Sequence, residues 1–309
     1  MLTVLPRQAT TLIAAICMLA GTAPGAGPDA PPTSPRNIRV DSNLVIIPVS
    51  VTDPRNHPIT GLGREDFRVF EGKAEQKLVH FASEDAPVSV GIVFDSSASM
   101  QDKLAVSREA MSRFLGAANP QDEFFLVNFN ATAQLAVPFT RDPDDIRNRL
   151  LFNEAHGRTA LLDAVCLAVD YMKKAANPRK ALLILSDGGD NDSRYTEAEI
   201  RRRVRESDLW IYGIGIYDRG TVMLPEEEFG SSLLANLAEE TGGRHFAVRD
   251  TSELADIAGN IGLELRNQYV IGYRPAALVR DGKYHRVQVK LVDGHGRRVT
   301  WRPGYFGPE

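Results

Sequence analysis

Cysteine is nearly absent: Cys17 and Cys166 are the only two in 309 residues. That excludes a disulfide framework and any cysteine-rich zinc module. No basic excess exists either, since 36 Lys+Arg against 40 Asp+Glu give a net charge of −4. A chain of that balance carries no electrostatic footprint for nucleic acid, which needs a clear positive surplus. The six histidines form no HxH or HxxxH pair. Missing too are a Walker A loop, a G-x-G-x-x-G turn and a G-x-S-x-G nucleophile elbow, so nucleotide, dinucleotide and serine-hydrolase chemistries lose their signatures. What is there is a 43% hydrophobic, 25% charged composition, that of a soluble globular chain.

The N-terminus departs from that average. Residues 1–26 carry one charge, Arg7, and no acid; an apolar run from Ala9 to Ala20 is followed by small residues and prolines. This is the layout of a secretory signal peptide. The run is shorter than the ~20 apolar residues that span a membrane. Cleavage is expected near Ala23 or Ala26, giving an exported chain, periplasmic or secreted, with no stable membrane insertion. Cys17 would leave with the leader, and the net charge would move from −4 to −5 because only Arg7 is lost. Cys166 falls on the helical stripe Leu162, Val165, Cys166, Val169, Met172 and reads as a buried, inert thiol.

Punctuation divides the remainder. Residues 27–42 form a Pro- and Gly-rich leader. Residues 43–85 alternate with period two (Leu44, Ile46, Val49, Val51; then Asp66–Gly72 and Gln76–Phe81), which predicts short antiparallel strands. From 86 to 267 the rhythm changes. Val88–Phe94, Phe124–Phe129, Ala181–Leu185 and Leu209–Ile216 are apolar nearly throughout, as strands buried on both faces are. Helical spacing lies between them, over about 103–118, 142–152, 159–176, 196–207, 230–241 and 252–267. The fold class expected is α/β, a doubly wound, mostly parallel sheet. Alternation returns over 268–309, and three short strands there are expected to pair with the N-terminal ones.

Chemistry concentrates at strand ends, where ligands of open parallel sheets bind. The strand Val88–Phe94 runs into Asp95-Ser96-Ser97-Ala98-Ser99; Ala181–Leu185 runs into Ser186-Asp187; Thr159 opens a helix between them. Two carboxylates with neutral hydroxyls are hard oxygen donors suited to Mg²⁺. Asp95 and the serines are also plausible caps of the following helix, a competing reading that the residues alone leave open.

The spacing Asp95-x-Ser97-x-Ser99, then Thr159, then Asp187 resembles the metal-ion-dependent adhesion site of von Willebrand factor type A domains, over about 86–267. The flanks are similar to those of an acidobacterial-type branch, through Val51-Thr52-Asp53, Asp66-Phe67, Tyr269–Pro275 and Arg302–Phe306. The resemblance implies a Rossmann-like fold and a metal, Mg²⁺ with Mn²⁺ or Ca²⁺ as substitutes, held by Asp95, Ser97, Ser99, Thr159 and Asp187. It also implies a protein partner that offers a carboxylate to that metal. Ala98 and Arg158 depart from the family pattern, which often has glycine at both places.

Weaker features are read conservatively. Asp190–Ser193 lacks EF-hand spacing and is expected to be a solvated acidic loop beside the metal face. Glu226–Glu228 reads as an exposed loop, and Arg201–Arg205 as a solvated helix face rather than a nucleic-acid site. The chain is expected to be a non-enzymatic adhesion module. An accessory or assembly subunit of a cell-envelope complex is the alternative, and a metal-assisted hydrolase the third.

Overall fold

A computed structural model describes residues 44–83, 85–187, 189–217, 225–275 and 282–307. The expected signal peptide and leader, residues 1–42, lie outside the described residues.

Four strands open the chain: β1 (Val45–Thr52), β2 (Phe67–Glu71), β3 (Ala74–Gln76) and β4 (Leu78–Ser83). The single strand expected over Gln76–Phe81 is two, broken at Lys77. Next come β5 (Val88–Asp95), α1 (Leu104–Gly116), β6 (Glu123–Phe129), β7 (Ala133–Thr140), α2 (Pro143–Leu151), α3 (Leu161–Met172), β8 (Arg179–Ser186), α4 (Glu197–Glu206), β9 (Trp210–Ile216), α5 (Pro225–Thr241), β10 (Arg244–Val248) and α6 (Leu254–Arg266). The chain closes with β11 (Tyr269–Tyr273), β12 (Tyr284–Leu291), β13 (Arg298–Trp301) and β14 (Gly304–Phe306), four strands where three were expected.

The central sheet has the order β10-β9-β8-β5-β6-β7, parallel throughout except for the antiparallel β6–β7 pair. Every residue of β5 and β9 is buried, because helices cover both faces. Side chains of α1, α2 and α6 pack on one face around Ile92, Phe94 and Leu183. Those of α3, α4 and α5 pack on the other around Val93, Phe125 and Leu182. Periodicity alone missed β7 and β10. β7 is an edge strand with no fully buried residue and an internal Pro138, and β10 holds only five residues with Arg244 and His245 among them.

Gly91 in β5 is a matter of space. A Cβ there would sit 2.2 Å from Phe125 Cζ and 2.6 Å from a Leu182 methyl, both in fully buried side chains. Gly91→Ala should therefore cost about 1–3 kcal/mol of overpacking strain. A urea melt with an unchanged midpoint would show that Phe125 repacks and that the contact is not limiting.

The flanks pair with each other. β1 lies between β11 and β13, with Val49 opposite both Tyr269 and Trp301. The sheet β13-β1-β11-β4 faces a second one, β14-β12-β2-β3. Between them Ile47, Val49, Val51, Phe67, Val69, Tyr269, Ile271, Tyr273, Val287 and Val289 form a separate core. The alternation read in the sequence is the inward and outward sides of this sandwich. The α/β domain leaves the sandwich after β4 and re-enters at β11, and these two strands are partners, with Ser83 opposite Tyr269. The larger domain is an insertion between two paired strands.

A buried polar cluster joins the two parts. Arg244 at the start of β10 is 6% exposed and its guanidinium lies 2.9 Å from the carboxylate of Glu264 on α6, itself 1% exposed. The Tyr212 hydroxyl donates to the other Glu264 oxygen at 3.0 Å. Arg244 also donates to Thr52 of β1 and to Asn56 in the turn after it. Burial and the adjoining Glu264 carboxylate hold the Tyr212 phenol protonated.

Candidate metal centre

Asp95 is the last residue of β5 and Ser186 the last of the neighbouring β8, so parallel pairing puts Asp95 and Asp187 at the same sheet end. Asp95 is fully buried. Its Oδ1 accepts from the Ser97 backbone N–H at 2.8 Å and its Oδ2 from the Ser186 hydroxyl at 2.5 Å. The Ser97 and Ser99 hydroxyls lie 3.1 Å apart. Neither caps a helix: Ser97 precedes a short 3-10 turn at Ala98–Met100 and makes no side-chain bond to it, and α1 begins later, at Leu104. The capping reading fails on this geometry, since the hydroxyls turn toward each other and not toward orphan helix amides.

Thr159 is 4% exposed. Its loop is fastened to the first one by two backbone bonds, Ala98 N–H to the Gly157 carbonyl at 3.1 Å and His156 N–H to the Ser96 carbonyl at 3.0 Å. Gly157 has φ +79, a conformation that favours glycine. Ala98 is not among the positive-φ residues, so glycine is not required there. Arg158 turns outward to Asp192 at 3.2 Å and is well exposed.

The supporting residues come from the Asp190–Ser193 segment, whose role toward Thr159 is not read from the sequence. Asn191 accepts from the Thr159 N–H at 3.0 Å, while the N–H groups of Asn191 and Asp192 donate back to the Thr159 carbonyl. Asp190 accepts from Leu162 N–H in the first turn of α3, and Ser193 accepts from Asp163 N–H. The segment Asp190–Ser193 keeps Asn191 and Asp192 exposed, as a solvated acidic loop would, and in addition it fastens Thr159 and the start of α3. Burial raises the Asp190 carboxyl above the usual range. Two further expectations need correction. Glu226–Glu228 lie in the opening turn of α5 and not in a loop. Arg201 and Arg205 clamp Glu240 of α5 at 2.7 Å, so part of that helix face is an ion-paired seam and not simply solvated. Cys166 is buried and unbridged, and a roughly 500 Å³ hollow beside Cys166 and Asp163 is mixed in polarity.

Electrostatics favour a cation. Burial first, and the Asp187 carboxylate second, push Asp95 up to about 7. Two carboxylates held this close repel, and positive charge relieves both terms. The Lys103 ammonium lies 3.5 Å from Asp187 Oδ2, with both side chains largely buried. It places a cation beside the carboxylate that the family resemblance implies is a metal ligand. Among the described residues no group of three or more His, Cys, Asp or Glu clusters for a metal. The candidate donors are instead two carboxylates with hydroxyls, oxygen-only chemistry that would fit Mg²⁺ and not a thiolate- or imidazole-seeking ion.

Beside this face, α2 ends in an exposed apolar pair, Leu151 (62% exposed) and Phe152 (78%). The next residue, Asn153, is buried and donates to the Asn128 carbonyl oxygen at 2.8 Å; Asn128 in turn donates to the Ser96 hydroxyl at 3.0 Å. The exposed pair is thus tied by a short relay to the Asp95–Ser99 loop.

Comparison with known proteins places this architecture. Residues 90–189 match the model of the von Willebrand factor type A domain. An uncharacterized protein of Borreliella burgdorferi is 22% identical over 201 residues, 57% of this chain and 58% of that protein. Inter-alpha-trypsin inhibitor heavy chain H4 of Bos taurus is 25% identical over 200 residues, 58% of this chain and 21% of that protein. The chain thus spans little more than half the length of the first relative and about a fifth of the second. Among solved structures, a von Willebrand factor type A protein from Catenulispora acidiphila superposes with a TM-score of 0.51 at 17% identity, covering 84% of this chain and 72% of that one. At that identity the likeness is one of fold. Domains of this family are commonly interaction or adhesion modules and generally not enzymes. The match over residues 90–189 and the doubly wound sheet that carries it show that this chain contains a von Willebrand factor type A domain.

Proposed function

We propose that the chain is an exported protein-binding module in which Asp95, Ser97, Ser99, Thr159 and Asp187 hold Mg²⁺ and the metal receives a carboxylate from a partner protein. The observation that carries this reading is that three separate segments bearing oxygen side chains meet at one sheet end, with only two carboxylates among the candidate donors. A dication so held keeps net positive charge and Lewis acidity for an incoming anionic oxygen. The chain's own residues supply the rest: Ser186 and the Ser97 N–H orient Asp95, and Asn191 fixes the Thr159 backbone. Leu151 and Phe152 offer exposed apolar and aromatic contact beside that centre, and aromatic side chains are enriched at the cores of protein interfaces. The proposal of export rests on the signal-peptide layout of residues 1–26.

The test is selection of displayed peptides on the immobilised chain in Mg²⁺, with elution by EDTA. Enrichment of sequences with an acidic residue is expected, with large apolar neighbours that are lost against Phe152→Ser. Binders without an acid, or binders that survive EDTA, would sink the metal-centred reading. EDTA-resistant binding would favour the second reading, an accessory subunit docked through its sandwich, where Ile46 and Val79 are 46% and 42% exposed.

A further inference from the structure

The spacing Asp95-x-Ser97-x-Ser99 leaves Ser96 and Ala98 outside the proposed donor set, and both are anchors. The Ala98 N–H donates to the Gly157 carbonyl at 3.1 Å. Ser96 is buried, and each of its polar atoms is bonded. Its N–H and its hydroxyl donate to the Phe129 carbonyl at 2.8 and 3.0 Å, and its carbonyl accepts from the His156 N–H at 3.0 Å. The same hydroxyl accepts from the Asn128 amide at 3.0 Å. Asn128, on β6 opposite Phe94, is held in turn: its side-chain oxygen accepts from the Asn153 amide at 2.8 Å. Asn153 is buried with every polar group engaged. Its N–H donates to the Leu150 carbonyl at 3.2 Å, its own carbonyl accepts from Arg108, and its Oδ1 accepts from Arg149 at 3.1 Å. In a chain of amides so sheltered, turning one member strands a polar group away from water.

We infer that Ser96, Asn128 and Asn153 are positioning residues that hold the Asp95–Ser99 loop in the shape the metal takes, so that affinity for Mg²⁺ depends on side chains that never touch it. The inference rests on the metal reading above and adds residues to it. Alternation along the loop gives the reason. The candidate donors Asp95, Ser97 and Ser99 alternate with the anchored Ser96 and Ala98, so each donor adjoins a fixed residue. A neutral hydroxyl attracts a cation far less than a carboxylate does, and its value as a ligand lies in being in place beforehand. Ordering the loop at the moment of binding would be subtracted from the affinity. Residues that orient metal ligands without touching the metal typically change affinity by about 10–100-fold.

Calorimetric titration of Mg²⁺ alone into the full chain tests this. Ser96→Ala and Asn128→Ala should each weaken Mg²⁺ binding roughly tenfold. The double variant should bind no more than about twofold worse than the weaker single, because both changes cut one relay. Tyr212→Phe, which shares no partner with the relay, should lower the melting temperature yet keep Mg²⁺ affinity within about twofold of wild type. In metal-free buffer, amide hydrogen exchange at Ser97 and Ala98 should quicken in Ser96→Ala, while that of Ile92 inside β5 should not. Ser96→Ala removes a single oxygen and carries the test alone if Asn128→Ala fails to fold. Unchanged Mg²⁺ affinity in Ser96→Ala would overturn the inference, as would unchanged exchange, additive losses in the double variant or an equal loss in Tyr212→Phe. Each of those results leaves the metal reading standing. Absence of Mg²⁺ binding in wild type sinks the metal reading, and this inference with it.

Discussion

Arg244→Met should lower stability by about 3–5 kcal/mol, because it leaves the Glu264 carboxylate buried without its cation. For a domain of this size that is a fall in melting temperature on the order of 10 °C. The loss is specific to breaking the pair. Arg244→Met combined with Glu264→Met replaces two buried charges with apolar side chains and should recover most of the difference, since such pairs break even against hydrophobic packing. Tyr212→Phe removes one neutral donor to Glu264 at 3.0 Å and should cost about 1 kcal/mol. Thermal melts of the four chains check this. A single Arg244→Met variant within about 1 kcal/mol of wild type would mean that the pair with Glu264 contributes little to the fold.

Asp95→Ala should reduce Mg²⁺ affinity at least a hundredfold in calorimetric titration, removing one of the two charged donors of the proposed site. Equal affinity in wild type and variant would remove Asp95 from the site. Its effect on folding should be much smaller than that of Arg244→Met. The Asp95 carboxyl is already pushed up to about 7 by burial and by Asp187, so the metal-free fold gains little from it. The two substitutions therefore separate stability from binding: one strikes the joint of the molecule, the other its face.

How much of this was legible in the sequence depends on the kind of signal each residue leaves. Val88–Phe94 and Leu209–Ile216 announce themselves because burial on both faces abolishes alternation. The sandwich strands are legible for the opposite reason, since one side is wet and the other is not. β7 is illegible because an antiparallel edge strand with Pro138 and no fully buried residue has neither pattern. Four of the five candidate oxygen donors are legible as types that follow strand ends, and parallel pairing of β5 with β8 brings Asp95 and Asp187 to one end of the sheet. Thr159 precedes a helix, and only the loop bonds from Ala98 to Gly157 and from His156 to Ser96 bring its segment there. Asn191, which serves Thr159 by accepting a backbone N–H, is visible in the sequence only as part of an acidic loop, and nothing in one dimension links it to Thr159. Lys103 is hidden for a similar reason: in one dimension it stands beside Asp102, and only the fold turns it toward Asp187.

The insertion of the α/β domain between β4 and β11 also dictates an order of assembly. Ser83 and Tyr269 face each other across that pair, yet the whole six-stranded domain separates them along the chain. An open chain of that length pays a loop-closure cost before the pair forms, and contacts so distant in sequence fold slowly. Once the inserted domain has folded, its two ends emerge side by side and the distance to be closed is short. The domain then acts as a template for the sandwich around it, which cannot be completed until synthesis reaches β13, the partner of β1. During synthesis β1 and β2 wait with unpaired edges while the inserted domain folds ahead of them.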